Sequence, residues 1–264
     1  MIEAFVTGIG LRGPGLTGWL ASRAVLAGAA PYLPGEMAKP LGDCLPATER
    51  RRATGVTRLA LDVATEALGD TDPTAITSVF ASSGGEVEVI HGIFEQLAGN
   101  DRRLSPTAFH NSVHNAAAGY WSIATGSRHP AESLCAYDDS FGVGLAEALL
   151  RCTDGERQVL LVAYDVPPLF PIAEFRPINQ PFAVALLLDP SPSSPGQARL
   201  LGDFAAVPPM IEPMLDPALE QFRQNNPAAR ALPLLAAIAR GAGTALSLGH
   251  GMGGSLNLRV EPCG

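Results

Sequence analysis

The sequence predicts an α/β fold, with a largely parallel central sheet and helices on both of its faces. Three observations carry that expectation. Short apolar runs of strand length alternate along the chain with stretches of helical period. Of 264 residues, 47% are hydrophobic and only 17% charged, enough apolar material for one large core, so a single domain over 1–264 is expected. No short-period repeat breaks the alternation.

Each element follows from its local chemistry. Ile2 to Val6 reads as a strand, the glycines that follow as a turn, and Thr17 to Leu26 as a helix. Ala30 to Pro46 holds four prolines and must be a loop. From Thr48 to Leu68 the positions Val56, Leu59, Ala60, Val63 and Ala67 share a helical face. Ile76 to Ala81 is an apolar strand, Glu86 to Leu97 a helix, and Ser105-Pro106 has the cap and first-turn chemistry that starts another. Val113, Ala117, Tyr120 and Ala124 continue at helical spacing. A short strand, Glu132 to Ala136, leads into a helix from about Asp139 to Cys152. Val159 to Ala163 and Phe182 to Leu188 are strands, and Asp189 to Gly196, with three prolines and three serines, is a surface turn. Beyond it come a strand at Ala198 to Phe204, two helices between Asp216 and Arg240, and an alternating strand from Ser255 to Val260.

Charge and composition narrow the function. The net charge is −8, with 26 acidic against 18 basic residues, and the longest basic block is Arg50 to Arg52, which argues against a nucleic-acid partner. The longest strongly apolar run, Phe182 to Leu188, is far too short to span a bilayer. Cys44, Cys135, Cys152 and Cys263 stand at unrelated spacings, which suggests neither a zinc site nor a disulfide scaffold. With an N-terminus that lacks signal-peptide character, a soluble, reducing, cytoplasmic setting is expected.

Gly8-Ile9-Gly10-Leu11-Arg12-Gly13 is a formal GxGxxG. A dinucleotide fold needs a second strand ending in an acidic residue, and a proline-rich loop stands there instead, so a tight turn into a packed helix is favoured. His110 and His114, four apart, could share a helix face, but Asn111 stands where HExxH has its general base and no third ligand is evident. Hydrogen-bonded structural histidines are expected, as for His91 and His129, and no metal.

Several segments together resemble the β-ketoacyl synthases of the thiolase fold: VTGIGLRGPG, SPTAFHNSVHNAAAGYWSIATG, SLCAYDDSFGVGLAEALL, FAVALLLDP and SLGHGMGGSLNLRVEP. The ERRR helix and SVHNAAAGYWS are the most specific of these. The resemblance is strong over 1–190 and weak after it. It is to a short ketosynthase-like group of aryl polyene and related polyketide pigment pathways that acts like a chain length factor. It implies a layered αβαβα fold with a ketosynthase N-terminal-like half over 1–190 and a shortened C-terminal half over 191–264. It implies no cofactor.

In an active ketosynthase, the resemblance implies, a cysteine at the strand-to-helix turn carries the acyl chain as a thioester; that turn falls on Cys135 or Ala136. A reactive thiolate needs a helix N-terminus or a cation, whereas Asp138 and Asp139 follow within four residues. Those aspartates also suit helix capping, and a cysteine is commonly a small buried hydrophobe. The family's two decarboxylating histidines have no counterpart after Pro190, where only His250 stands, before a segment that reads as a hairpin strand. Gly249, Gly251, Gly253 and Gly254 fit either an oxyanion-type lining or a tight hairpin.

The expectation is therefore a non-catalytic accessory subunit, like a chain length factor, that forms a heterodimer with a complete β-ketoacyl synthase, shapes its acyl tunnel, and also meets an acyl carrier protein. A homodimer is the other assembly considered. The resemblance places the contact at Phe109, His110, His114, Asn115, Ala117, Tyr120 and Trp121, where small residues permit close helix approach and aromatics anchor, although the same residues could fill the protein's own core. The alternative is a minimal acyltransferase or thioesterase using Cys135 with His110, His114 or His250.

Overall fold

The computed structural model describes residues 2–100, 102–154, 158–191 and 196–263. Its strands are β1 (Ile2–Arg12), β2 (Thr77–Ala81), β3 (Ala131–Leu134), β4 (Val159–Asp165), β5 (Phe182–Asp189), β6 (Ala198–Ala205), β7 (Thr244–Gly249) and β8 (Ser255–Glu261). The helices are α1 (Trp19–Leu26), α2 (Ala47–Arg52), α3 (Gly55–Leu68), α4 (Val87–Ala98), α5 (Pro106–Asn111), α6 (Ala116–Thr125), α7 (Ser140–Thr153), α8 (Ile172–Phe175), α9 (Pro217–Asn225) and α10 (Leu232–Arg240).

The strands form one sheet in the order β3-β2-β4-β5-β1-β6-β8-β7. Only β3–β2 and β2–β4 are parallel, and the other five pairings are antiparallel, which corrects the largely parallel sheet expected. A parallel step needs a crossover back to the same end of the sheet. Between β4 and β5 the chain instead turns and runs straight back, and β7–β8 is a hairpin. β4 and β5 are apolar without alternation because both their faces are covered.

β1 runs on to Arg12, so the glycines read as a turn lie inside a strand. They are small because α3 packs directly on them: a β-carbon on Gly8 would collide with the Ala67 carbonyl, and one on Gly10 with the Val63 carbonyl. No nucleotide loop exists there. The helix expected over 48–68 is two helices, since Thr54 breaks it by accepting the Thr57 N–H as the cap of α3. The proline-serine turn expected at 189–196 lies partly outside the described residues.

On the opposite face lies α7, buried around most of its circumference through Phe141, Leu145, Ala148, Leu149 and Cys152. It touches β1, β2, β4 and β5, and also β7. In a flat sheet β2 and β7, six strands apart, would be about 29 Å from each other. A helix of 14 residues is only about 21 Å long. The sheet must therefore curl around α7. Leu200, Leu256, Leu258 and Val260 of the curled end face inward, while Asp203, Asn257 and Arg259 face outward and are exposed. The C-terminal strands are joined edge to edge with β1 and enclose α7 and α10, and their outer face is solvated.

The glycine packing gives the first prediction. Gly10→Ala should lower the stability of the fold by roughly 1–3 kcal/mol, the usual cost of overpacking against a backbone that has no room to yield. Urea denaturation of the purified protein measures it.

Candidate functional site

β2 ends in the turn Ser82-Ser83-Gly84-Gly85, and parallel β4 places Asp165 beside that turn. One carboxylate oxygen, Oδ1, accepts from the Ser83 N–H at 2.8 Å, the Ser83 hydroxyl at 2.7 Å, the Ser82 hydroxyl at 3.1 Å and the Gly84 N–H at 3.3 Å. The other, Oδ2, is buried with no partner. Burial pushes the Asp165 carboxyl up to about 6, against the opposing pull of the turn's hydrogen bonds. The carbonyls of the same turn hold two of the residues singled out from sequence. His114 Nε2 lies 3.0 Å from the Ser82 oxygen, and Cys135 donates its S–H to the Ser83 oxygen at 3.5 Å. Next along, Glu86 is buried and accepts from the Thr57 hydroxyl at 2.6 Å and the Thr54 hydroxyl at 2.8 Å; burial raises its carboxyl too.

Cys135 follows β3 and is exposed. It stands five residues before the first residue of α7, with a short 3-10 turn, Tyr137–Asp139, between them, so no helix N-terminus faces its sulfur. The aspartates do not cap α7 by side-chain hydrogen bonds. Asp138 instead meets Arg176 at 2.5 Å and Arg230 at 3.0 Å; Asp139 meets Arg230 at 3.3 Å and accepts the Gly251 N–H at 3.0 Å. Two guanidiniums thus balance two carboxylates, and the negative charge expected beside the thiol is largely neutralised. Gly251 and Gly253 have positive φ in the β7–β8 hairpin, and a β-carbon on Gly249 would collide with the Asp139 carboxylate. The glycine cluster is a hairpin fitted to the head of α7.

The histidines do not converge on the sulfur. α5 ends at Asn111 and α6 begins at Ala116, so His110 and His114 do not share a helix face. His110 is exposed, 3.1 Å from the Asn111 side-chain oxygen and edge-on to Tyr120. His250 packs against Phe204, the ring centres 4.9 Å apart and the planes tilted by 52°. Among the described residues no group of three or more metal-binding side chains occurs.

The segment expected to meet a partner divides. Phe109, His110 and Asn115 are exposed and His114 is half-buried, but Ala117, Tyr120 and Trp121 belong to the chain's own core, with Tyr120 donating to Asn111. Sequence reasoning missed α4 as a surface: none of its residues is buried, although it carries Ile90, Ile93, Phe94 and Leu97, and Phe94 is 60% exposed. It also missed Asp165, whose signal was an acid ending an otherwise apolar strand. A cavity of about 1220 Å³ opens between the end of α1, α10 and strands β7 and β8, with Leu246, Leu248, Leu258 and Arg230 in its wall.

The family model for the β-ketoacyl synthase N-terminal domain matches residues 26–243. The chain belongs to this family. Among solved structures, this ketosynthase-family chain is similar to a chain of the ketosynthase ApeO in complex with its chain length factor ApeC from Xenorhabdus doucetiae, at TM-score 0.74 and 24% identity, over 98% of this chain and 100% of that one. It is similar to the ishigamide ketosynthase/chain length factor at TM-score 0.74 and 14% identity, over 100% of both chains. The type II polyketide complex of AntDE with the acyl-carrier protein AntF matches at TM-score 0.72 and 11% identity, over 99% of both. Identities this low speak to the thiolase-like fold. No curated protein matches the chain.

Asp165 generates a second prediction. Between the ordinary aspartate range and about pH 6 the folded chain holds a proton that the unfolded chain has released. Stability from this group is therefore highest at low pH and falls as pH rises through that window, by up to about 3 kcal/mol. Asp165→Asn imitates the protonated form. Its denaturation midpoint should lack this fall, and above pH 7 should exceed the wild type when both are titrated with urea.

Proposed function

We propose that the chain is a non-catalytic accessory subunit, like a chain length factor, that pairs with a complete β-ketoacyl synthase and shapes its acyl tunnel in polyene, polyketide or fatty-acid-like synthesis. The observation that carries the reading is the surrounding of Cys135. Its sulfur is tied to a backbone carbonyl, and among the described residues no histidine lies within bonding distance of it. Condensation needs an ionised nucleophile together with groups that stabilise the enolate left by decarboxylation, and among the described residues neither is assembled around Cys135.

Surface chemistry favours pairing. α4, α5, α6 and the α5–α6 link expose Phe94, Leu97, Phe109, Val113 and Ile123, and β3 is an edge strand of the sheet. Exposed apolar side chains and an open sheet edge are features that a second thiolase-fold subunit can cover. The similar solved structures that contain a ketosynthase with a chain length factor, and in one case an acyl-carrier protein, support the same partners here. The apolar cavity beside Arg230 has room for an aliphatic chain.

The pairing is tested by co-expression and co-purification with a complete β-ketoacyl synthase from the same organism. Phe94→Asp combined with Phe109→Asp should abolish capture while leaving the melting curve nearly unchanged, since both rings are exposed. Ala117→Glu, by contrast, should unfold the chain by burying an unpaired carboxylate. A double variant captured as well as the wild type would sink the contact. For activity, Cys135→Ala should leave product output unchanged in the reconstituted pair; a large loss with intact pairing would favour the acyltransferase or thioesterase reading.

A further inference from the structure

Tyr137 is the residue this reading leaves unused. Among the described non-glycine residues only Tyr137 and Met252 have positive φ, at 54° and 44°. Met252 stands between two glycines at a hairpin tip, where such a conformation is unremarkable. Tyr137 stands between β3 and α7, on the 3-10 turn that runs into the buried helix, where a β-branch-free but bulky side chain in the left-handed region is strained. Core packing does not explain it, since the residue is 62% exposed. What the ring does meet is the Arg176 guanidinium, centred 3.7 Å above it.

The strain is held from several directions. Asp138 is fixed by Arg176 and Arg230, Asp139 by Arg230 and the Gly251 N–H, and the Ser140 hydroxyl donates to the Tyr137 carbonyl at 2.7 Å while accepting the Ala136 N–H at 3.0 Å. Three segments distant in sequence, together with Ser140 at the start of α7, thus over-determine one turn. A strained, exposed side chain at the head of a buried helix is how strand-to-helix turns present a functional group, and such outliers persist only where the surroundings enforce them.

We propose that Tyr137, and not Cys135 or Ala136, holds the presenting position of this turn, and that its ring, stacked on Arg176, closes that position to acyl attachment. The inference rests on the accessory-subunit reading and names the residue responsible. A presented nucleophile needs a base or cation at the attacking atom. Here the guanidinium covers the ring face, and among the described residues nothing hydrogen-bonds the hydroxyl. Cys135, two residues earlier, has its sulfur engaged by Ser83.

The test is made on the isolated chain, so its failure is separable from a failure to pair. Tyr137→Cys in a Cys135→Ser background puts a thiol just before α7 in place of the ring that the Arg176 guanidinium covers, and a guanidinium beside a thiol favours the thiolate. Iodoacetamide labelling at pH 7, followed by peptide mass mapping, should find that thiol reacting at least about tenfold faster than Cys135 in the wild type, the gain in thiolate that one pKa unit gives. Adding Arg176→Gln should reduce the gain. A thiol that reacts no faster than Cys135 overturns the assignment. Tyr137→Gly tests the strain separately: the variant should melt at or above the wild-type temperature, because glycine adopts positive φ freely. A lower melting temperature would mean that the ring is there for stability, and would overturn the proposal.

Discussion

The fold depends on the burial of α7 on nearly all sides. A helix apolar around most of its circumference needs partners all round, and a single sheet face covers only one side of it. The curled sheet supplies the others, and small residues make the fit possible: a β-carbon on Gly142 would strike the Gly249 carbonyl, and one on Gly144 would press on Ala81. Once α7 is enclosed, its head fixes where the turn before it and the β7–β8 hairpin must meet. Site geometry is thus a by-product of core packing.

Electrostatics then decide what the assembled site can do. Arg230 comes from the C-terminal third of the chain, yet it holds the aspartates that precede α7. A residue far along the chain therefore organises the turn at the head of α7. Asp165 acts similarly on the other side, spending one oxygen on four donors and leaving the second dry. Such a group is costly when ionised and tolerable when protonated, so it serves geometry more than charge.

Much of the architecture was legible from sequence because β4, β5, α3 and α7 carry unambiguous apolar patterns. Thr54 and the Ser105-Pro106 cap show how single residues set helix starts, the former splitting what periodicity alone reads as one helix. Strand direction was not legible, because periodicity carries no sign. The glycines of β1 were misread as a turn because a helix seated on a strand and a tight turn both call for glycine. In the contact segment, Ala117, Tyr120 and Trp121 are apolar for the chain's own core, whereas Phe109 is apolar and exposed; composition cannot distinguish the two. Tyr137 left no mark at all, since backbone strain is a property of the folded turn and not of the residue type.

The position of β1 has a consequence for synthesis. It is made before every other strand of the sheet, yet it lies between β5 and β6, and its Ile2–Val6 part pairs with residues 198–202. About 170 residues must be made before its first neighbour exists, which at ordinary translation rates of about 5–20 residues per second leaves it unpaired for roughly ten to thirty seconds. During that time an apolar strand and the unburied face of α3 are both open to other chains. Both edges of β1 therefore lack their partners until β5 and β6 have been made, the state in which an apolar strand can pair with another chain.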